Sequence, residues 1–177
     1  MKINNKKGIC YWITGLSGAG KTTISQELIK LMKKNHKNVV LLDGDNLRNI
    51  FKNNSFDETD RLNLSYQYAS MVNLLLDQGI HVVAAFMALF SEIHSWNRKN
   101  ISNYVEVFLD IPTYELERRD PKGLYKKYRL GEIKNMAGLD LKADMPINPD
   151  YHFKWEENKT SSQIAKTLFE DFKKRVN

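Results

Sequence analysis

The chain reads as an α/β protein of about five parallel strands sandwiched by helices. Three observations predict this. Short apolar, β-branched stretches alternate with segments of helical spacing. One glycine-rich turn, Gly15-Leu16-Ser17-Gly18-Ala19-Gly20-Lys21-Thr22, stands between the first of those strands and the first helix. Finally, polar and acidic residues gather at the ends of strands, where open parallel sheets place their ligands. At 177 residues the chain suits a single domain, 1–177, with a core large enough to fold alone.

Taken in order, Ile9 to Thr14 is the first buried strand, and Thr22 to Lys34 carries Ile24, Leu28, Leu31 and Met32 at helical spacing. Asn38 to Leu42 is the second strand and runs into Asp43-Gly44-Asp45, with Arg48 in a short helical turn. Phe51 to Asp60 is an Asn-rich loop around Phe56, expected over the active face. From Arg61 to Gln78 a helix places Leu64, Tyr68, Met71, Val72 and Leu75 on one side, and Gly79 stops it. Ile80 to Phe86 is the third strand. A helical segment follows within Met87 to Asn103, and Tyr104 to Asp110 is the fourth strand. Pro112 suits the first turn of the next helix, which bears Arg118 and Arg119. Residues from about 118 to 149, basic and bracketed by glycines, form a lid. Tyr151 to Trp155 is the fifth strand. Thr160-Ser161-Ser162-Gln163 has capping-box spacing before the closing amphipathic helix.

The turn fits G-x-x-x-x-G-K-[ST] at every fixed position and has the strand and helix that this motif needs, so the fold is expected to be that of a P-loop NTPase. Gly15, Gly18 and Gly20 let the backbone N–H groups, with those of Ser17, Ala19 and Thr23, approach phosphate oxygens, and the helix directs its positive end at them. Lys21 is expected on the β- and γ-phosphates of ATP, and the Thr22 hydroxyl on Mg²⁺. Two carboxylates two residues apart on extended backbone, Asp43 and Asp45, can point at one site. One can hold a metal-bound water, Asp43 being the metal-side candidate, while the other takes a proton from an acceptor hydroxyl. The alternative is a turn and helix cap. Four strand ends, at the phosphate loop, Asp43/Asp45, Phe86-Met87-Ala88 and Asp110, are expected to share one crevice.

The formal charge of +6 raises the question of nucleic acid. Between Arg118 and Lys134 seven basic residues face two acidic ones, so that stretch carries +5 of the total. Such concentration suits a small anionic ligand rather than a polyanion, and no nucleic-acid partner is expected. An ATP-dependent nucleic-acid-binding module is the contrasting reading and needs basic and aromatic residues spread along a face. No apolar run spans a bilayer and no secretory leader opens the chain, which predicts a cytoplasmic protein without a membrane partner. Cys10 alone excludes an internal disulfide and a cysteine metal cluster. Tyr66, Tyr68, Phe90 and Trp96 are assigned to core packing, with a homodimer surface as the alternative.

The stretches WITGLSGAGKTT, LLDGDNLR and RDPKGLYKKYRLGEIKNMAGLD together resemble the adenylyl sulfate kinase family, over nearly the whole chain and in the same order. The resemblance implies Mg-ATP as donor and a nucleotide ribose 3′-hydroxyl as acceptor. It implies acceptor contacts at Asp45, Arg48, Phe56, Arg61 and Phe86, and lid contacts at Arg119, on the ATP side, and at Lys122, Lys126 and Lys127. The family's Phe-Ile-Ser-Pro-Tyr-Arg is here Phe86-Met87-Ala88-Leu89-Phe90-Ser91, its asparagine after Arg61 is Leu64, its following arginine pair is Tyr66 and Gln67, and its lid aromatic is Met136. Losing an aromatic face weakens base stacking, and losing hydrogen-bonding side chains relaxes discrimination. These changes favour cytidine diphosphoramidate, the acceptor of a related kinase type in bacterial capsule pathways, over adenylyl sulfate, which stays as the alternative. Because Ala88 replaces the family's phosphorylatable serine, direct in-line transfer is expected.

Overall fold

A computed structural model describes residues 7–52 and 55–176. The order is β1 (Cys10–Thr14), α1 (Lys21–Met32), β2 (Val39–Asp43), α2 (Gly44–Phe51), α3 (Glu58–Asp77), β3 (His81–Ala85), α4 (Ser91–Asn100), β4 (Tyr104–Asp110), α5 (Thr113–Arg119), α6 (Leu124–Arg129), β5 (Tyr151–Lys154) and α7 (Ser161–Val176). The five strands form one parallel sheet in the order β2-β3-β1-β4-β5. Because β1 is central, the turn that follows it opens in the middle of the sheet, between the ends of β3 and β4.

Side chains alternate across β1 as the strand period requires. Tyr11 and Ile13 enter one core with Ile24 and Leu28 of α1 and Leu168 and Phe172 of α7. Cys10 and Trp12 enter the other with Leu64, Tyr68 and Val72 of α3 and Ile93 of α4. Both faces are therefore covered, and strands buried on both sides read as the near-continuous apolar runs seen in the sequence. Cys10 is a fully buried core residue whose thiol burial pushes far above its usual range. Tyr68 is buried, and Tyr66, Phe90 and Trp96 pack against the same core. The described helices include none long and apolar enough to cross a membrane.

Element ends lie within three residues of the sequence reading. The long helix begins at Glu58 rather than Arg61, since Asp57, still extended, precedes it and its carbonyl accepts from the Arg61 amide. The loop before it is correspondingly shorter, and its Asn53 and Asn54 lie outside the described residues. Pro112 caps α5 rather than joining its first turn. Its ψ of 148° is extended, and its carbonyl accepts from the amides of Glu115 and Leu116. Thr160 and Gln163 do form the reciprocal cap: the Thr160 amide donates to Gln163 Oε1 at 2.8 Å, and the Gln163 amide to Thr160 Oγ1 at 3.3 Å. The basic stretch carries a short helix, α6, that periodicity alone did not reveal.

Candidate active site

Backbone shape comes first at the phosphate loop. Gly15 has φ +147°, and a Cβ there would lie 2.7 Å from the Leu109 carbonyl oxygen of β4, so only glycine lets the loop pass this close to the sheet. Gly20, at φ 96° in the left-handed region, swings the chain into α1. The free amides of the first helical turn then face the loop.

Lys21 is the loop's cation. Its ammonium donates to the Gly15 and Leu16 carbonyls, each at 2.8 Å. Burial lowers its pKa to about 8, with Lys122 adding to the effect and Asp45 and Asp43 opposing it. Beside it, Thr22 Oγ1 donates to Asp43 Oδ2 at 2.8 Å, and Asp43 Oδ1 accepts from the Asp45 amide at 3.0 Å. Asp43 is buried and is the N-cap of α2. The capping reading of this acid holds: one oxygen accepts from the Asp45 amide, and the other accepts from the threonine hydroxyl.

Asp45 is the freer of the pair. Its side chain is 61% exposed and ion-pairs with Lys122. Around that pair the basic segment lies on the phosphate loop: the Tyr125 hydroxyl donates to the Ser17 carbonyl at 3.1 Å, and Arg119 Nη1 to the Gly18 carbonyl at 3.4 Å. Arg119 is aimed by Glu115, which accepts from both Arg118 and Arg119. Those guanidiniums, Arg118 first, hold the Glu115 carboxyl down at about 2.

The opposite wall comes from α2, α3 and the far end of the basic segment. Arg48 donates to the Ser55 carbonyl at 2.9 Å and lies over the Phe56 ring, 4.8 Å from its centre. Arg61 is buried, donates to the Asn135 carbonyl at 3.1 Å, and has its pKa lowered by burial and then by Arg48. Leu64, Ala88 and Met136 are buried and apolar, and all three line the cavity.

One cavity of about 950 Å³ joins the two sides. It gathers Ser17, Gly18, Gly20, Lys21, Thr22, Thr23 and Arg119 with Asp43, Asp45, Arg48, Phe56, Arg61, Phe86, Ala88, Lys122 and Met136. Gly15 and Ala19 do not line it. Gly15 lies against β4, and Ala19 is buried under the loop. Lys126 and Lys127 likewise do not line the cavity: both are exposed on α6, which turns Tyr125 inward instead. Asp110 leaves the expected group of four strand ends, since its carboxylate meets His152 Nε2 on β5 at 2.8 Å. Sequence reading counted Lys134 only in the basic stretch, did not single out Asn135, and took Tyr68 for core or a dimer surface; all three line the cavity. For Tyr68 a signal existed, because Arg61, Leu64 and Tyr68 recur at the spacing of one helix face.

A parallel sheet with a phosphate loop at its centre, and a cavity running from that loop to an acidic turn and two arginines, defines a phosphate-loop kinase, a phosphotransferase that uses ATP. The sequence matches the Adenylylsulphate kinase family over residues 7–154, and the chain belongs to that family. It is 41% identical over 135 residues to the cytidine diphosphoramidate kinase of Campylobacter jejuni, covering 76% of this chain and 79% of that one. It is 40% identical over 151 residues to an adenylyl-sulfate kinase of Pseudomonas aeruginosa, covering 84% and 77%. In structure it resembles the Mycobacterium tuberculosis APS kinase CysC, solved in complex with AMPPNP and APS. The TM-score is 0.85, the identity 33%, and the coverage 94% of this chain and 98% of that one.

Proposed function

We propose that the protein transfers the γ-phosphoryl group of Mg-ATP to the ribose 3′-hydroxyl of a small nucleotide, with cytidine diphosphoramidate as preferred acceptor. The observation that carries the acceptor choice is the apolar wall of Leu64, Ala88 and Met136, across the cavity from Lys21, Thr22 and the phosphate loop. A wall without a second aromatic plane or polar side chains gives up stacking and hydrogen-bond readout of a large purine. A smaller pyrimidine loses less by that. The relation to a cytidine diphosphoramidate kinase supports this reading, under which the product would serve capsule modification. Adenylyl sulfate is the second reading, favoured by relatives of nearly equal identity that bear that name.

The residues divide the work. Lys21 and the amides from Ser17 to Thr23 hold the phosphates, and Arg119 lies where it can neutralise charge on them. The Thr22 hydroxyl and Asp43 carboxylate, 2.8 Å apart, are hard oxygen donors that fit Mg²⁺, which takes one or two carboxylates together with phosphate oxygens and water. When bound, that ion would neutralise charge on the β- and γ-phosphates. Asp45, open to the cavity, accepts the proton of the 3′-hydroxyl as the oxygen attacks the γ-phosphorus and the bond to the β-phosphate oxygen breaks, leaving ADP. Arg48 and Arg61 take the acceptor's anionic 5′ group, and Phe56 takes a face of its base. The segment 118–149 closes as a lid and excludes water, with Lys122 moving between Asp45 and the transferring group.

Side-by-side assays of ADP release from Mg-ATP with each acceptor test the proposal. A higher kcat/KM for cytidine diphosphoramidate is expected. A higher value for adenylyl sulfate overturns the acceptor choice, and turnover of neither overturns the kinase reading. Incubation with ATP alone is expected to leave no covalent phosphate on the protein, as direct transfer requires.

A further inference from the structure

Tyr68 belongs to the cavity wall, yet no role in phosphoryl transfer has fallen to it. Its ring is stacked on Phe86, at the end of β3, with centroids 4.6 Å apart and planes 25° apart, and on Phe51 of α2 at 6.2 Å and 29°. Phe86 in turn meets Trp12 of the central strand edge to face at 4.9 Å. Four rings thus run from the surface to the centre of the sheet, and they set where the Tyr68 oxygen stands. That oxygen lies 3.4 Å from the Gly44 carbonyl, to which it donates. The Gly44–Asp45 peptide is therefore held at both ends, because its N–H donates to Asp43 Oδ1 at 3.0 Å, and the other oxygen of Asp43 accepts from Thr22.

We infer that Tyr68 is a positioning residue that aims Asp45 by clamping the Gly44–Asp45 peptide between its hydroxyl and the Asp43 carboxylate. The 3.4 Å contact is long for a hydroxyl donor, so it limits rotation of the peptide rather than pulling on it. Rotating that peptide would move Asp45 away from the acceptor hydroxyl, and a misplacement of about 1 Å can cost on the order of a hundredfold in rate. The clamp reaches the donor side only through Asp43 and Thr22, whereas Lys21 is held separately by loop carbonyls. The aim of Asp45 matters only under the kinase reading above, whereas the clamp itself is a property of the free protein.

The test pairs two readouts on Tyr68→Phe, which keeps the ring stack and removes only the hydroxyl. Amide hydrogen exchange, without ligand, is expected to quicken several-fold at Asp45 while α1 and α7 keep their protection. Transfer to cytidine diphosphoramidate or adenylyl sulfate, whichever the wild type turns over faster, is expected to lose about three- to tenfold in kcat, with the KM for ATP unchanged. Unchanged exchange at Asp45 overturns the clamp, and a loss that falls on the acceptor KM with kcat kept overturns the positioning role. Should the wild type use neither acceptor, the kinase reading fails and the exchange measurement still decides the clamp. Tyr68→Leu, which loses the stack as well, is expected to quicken exchange further.

Discussion

Most of the donor side of the cavity comes from one short stretch, Ser17 to Thr23, spanning the phosphate loop and the first turn of α1. The acceptor side draws on α2, α3, the residues after β3 and the basic segment, and it is joined by contacts such as Arg61 to Asn135 and Lys122 to Asp45, 74 and 77 positions apart. The first is an arrangement of backbone amides, fixed by glycine conformations and helix geometry. The second is an arrangement of side chains, fixed only once distant elements pack. It follows that substitutions on the donor side should act alike on every acceptor, whereas acceptor-side substitutions should separate one nucleotide from another.

The strongest test of that contrast is Lys21→Ala. Removing the cation proposed to meet the phosphates should cost on the order of 10³-fold in kcat/KM with either acceptor. A loss confined to one acceptor would break the division between the two sides. Next in size is Asp45→Asn, expected to lower kcat by about a hundredfold, as for removal of a general base, with thermal stability unchanged. Asp43→Ala should lose activity too, but it also removes the cap of α2, about 1 kcal/mol, so its thermal midpoint should fall by about 2–4 °C. If Asp45→Asn is the more destabilised of the two, the assignment of cap and base is reversed.

Arg61→Ala should raise the acceptor KM by about ten- to a hundredfold, the worth of a hydrogen bond to a charged group, while the ATP KM holds. Proton linkage should reveal Lys21 at a similar scale. The phosphates of ATP favour the protonated amine and so raise a pKa that stands at about 8 in the free protein. Affinity is then flat below pH 8 and falls with rising pH above it, by up to about tenfold per unit, until the pKa of the bound state is passed. Equilibrium titration of an ATP analogue from pH 7 to 9.5 checks this; affinity that rises with pH would contradict it. The smallest effect is expected from Met136→Phe. Restoring an aromatic face should raise the efficiency with adenylyl sulfate, relative to cytidine diphosphoramidate, several-fold, within the roughly 1–3 kcal/mol that base stacking carries.

How much could be read beforehand follows the same division. The strands were legible because burial on both faces leaves apolar runs, and β4 was read to the residue, Tyr104 to Asp110. The capping box at Thr160 and Gln163 was legible because both partners lie within one turn. Harder cases involve orientation. Lys126 and Lys127 sit in a basic run that does approach the phosphate loop, yet the face that α6 presents is decided by Tyr125 reaching Ser17. Asp110 stands at a strand end like the other expected groups, but β5 supplies His152 beside it, and that neighbour exists only because β4 and β5 pair.

By itself the sequence determined the alternation of strands and helices, the phosphate loop, the acidic turn after β2 and the concentration of positive charge after α5. Each of these is set by residues within a turn or two of one another, where backbone geometry and periodicity act without help. Tertiary structure decided the strand order, the joining of two half-sites into one cavity, and the choice of Lys122 over Lys126 and Lys127 as the partner of Asp45. It also brought Tyr68, read from the sequence as a core aromatic, into the cavity wall. Those outcomes depend on which side chains meet when α3 and the basic segment close on the sheet, and contacts across 70 or more residues leave no local pattern to read.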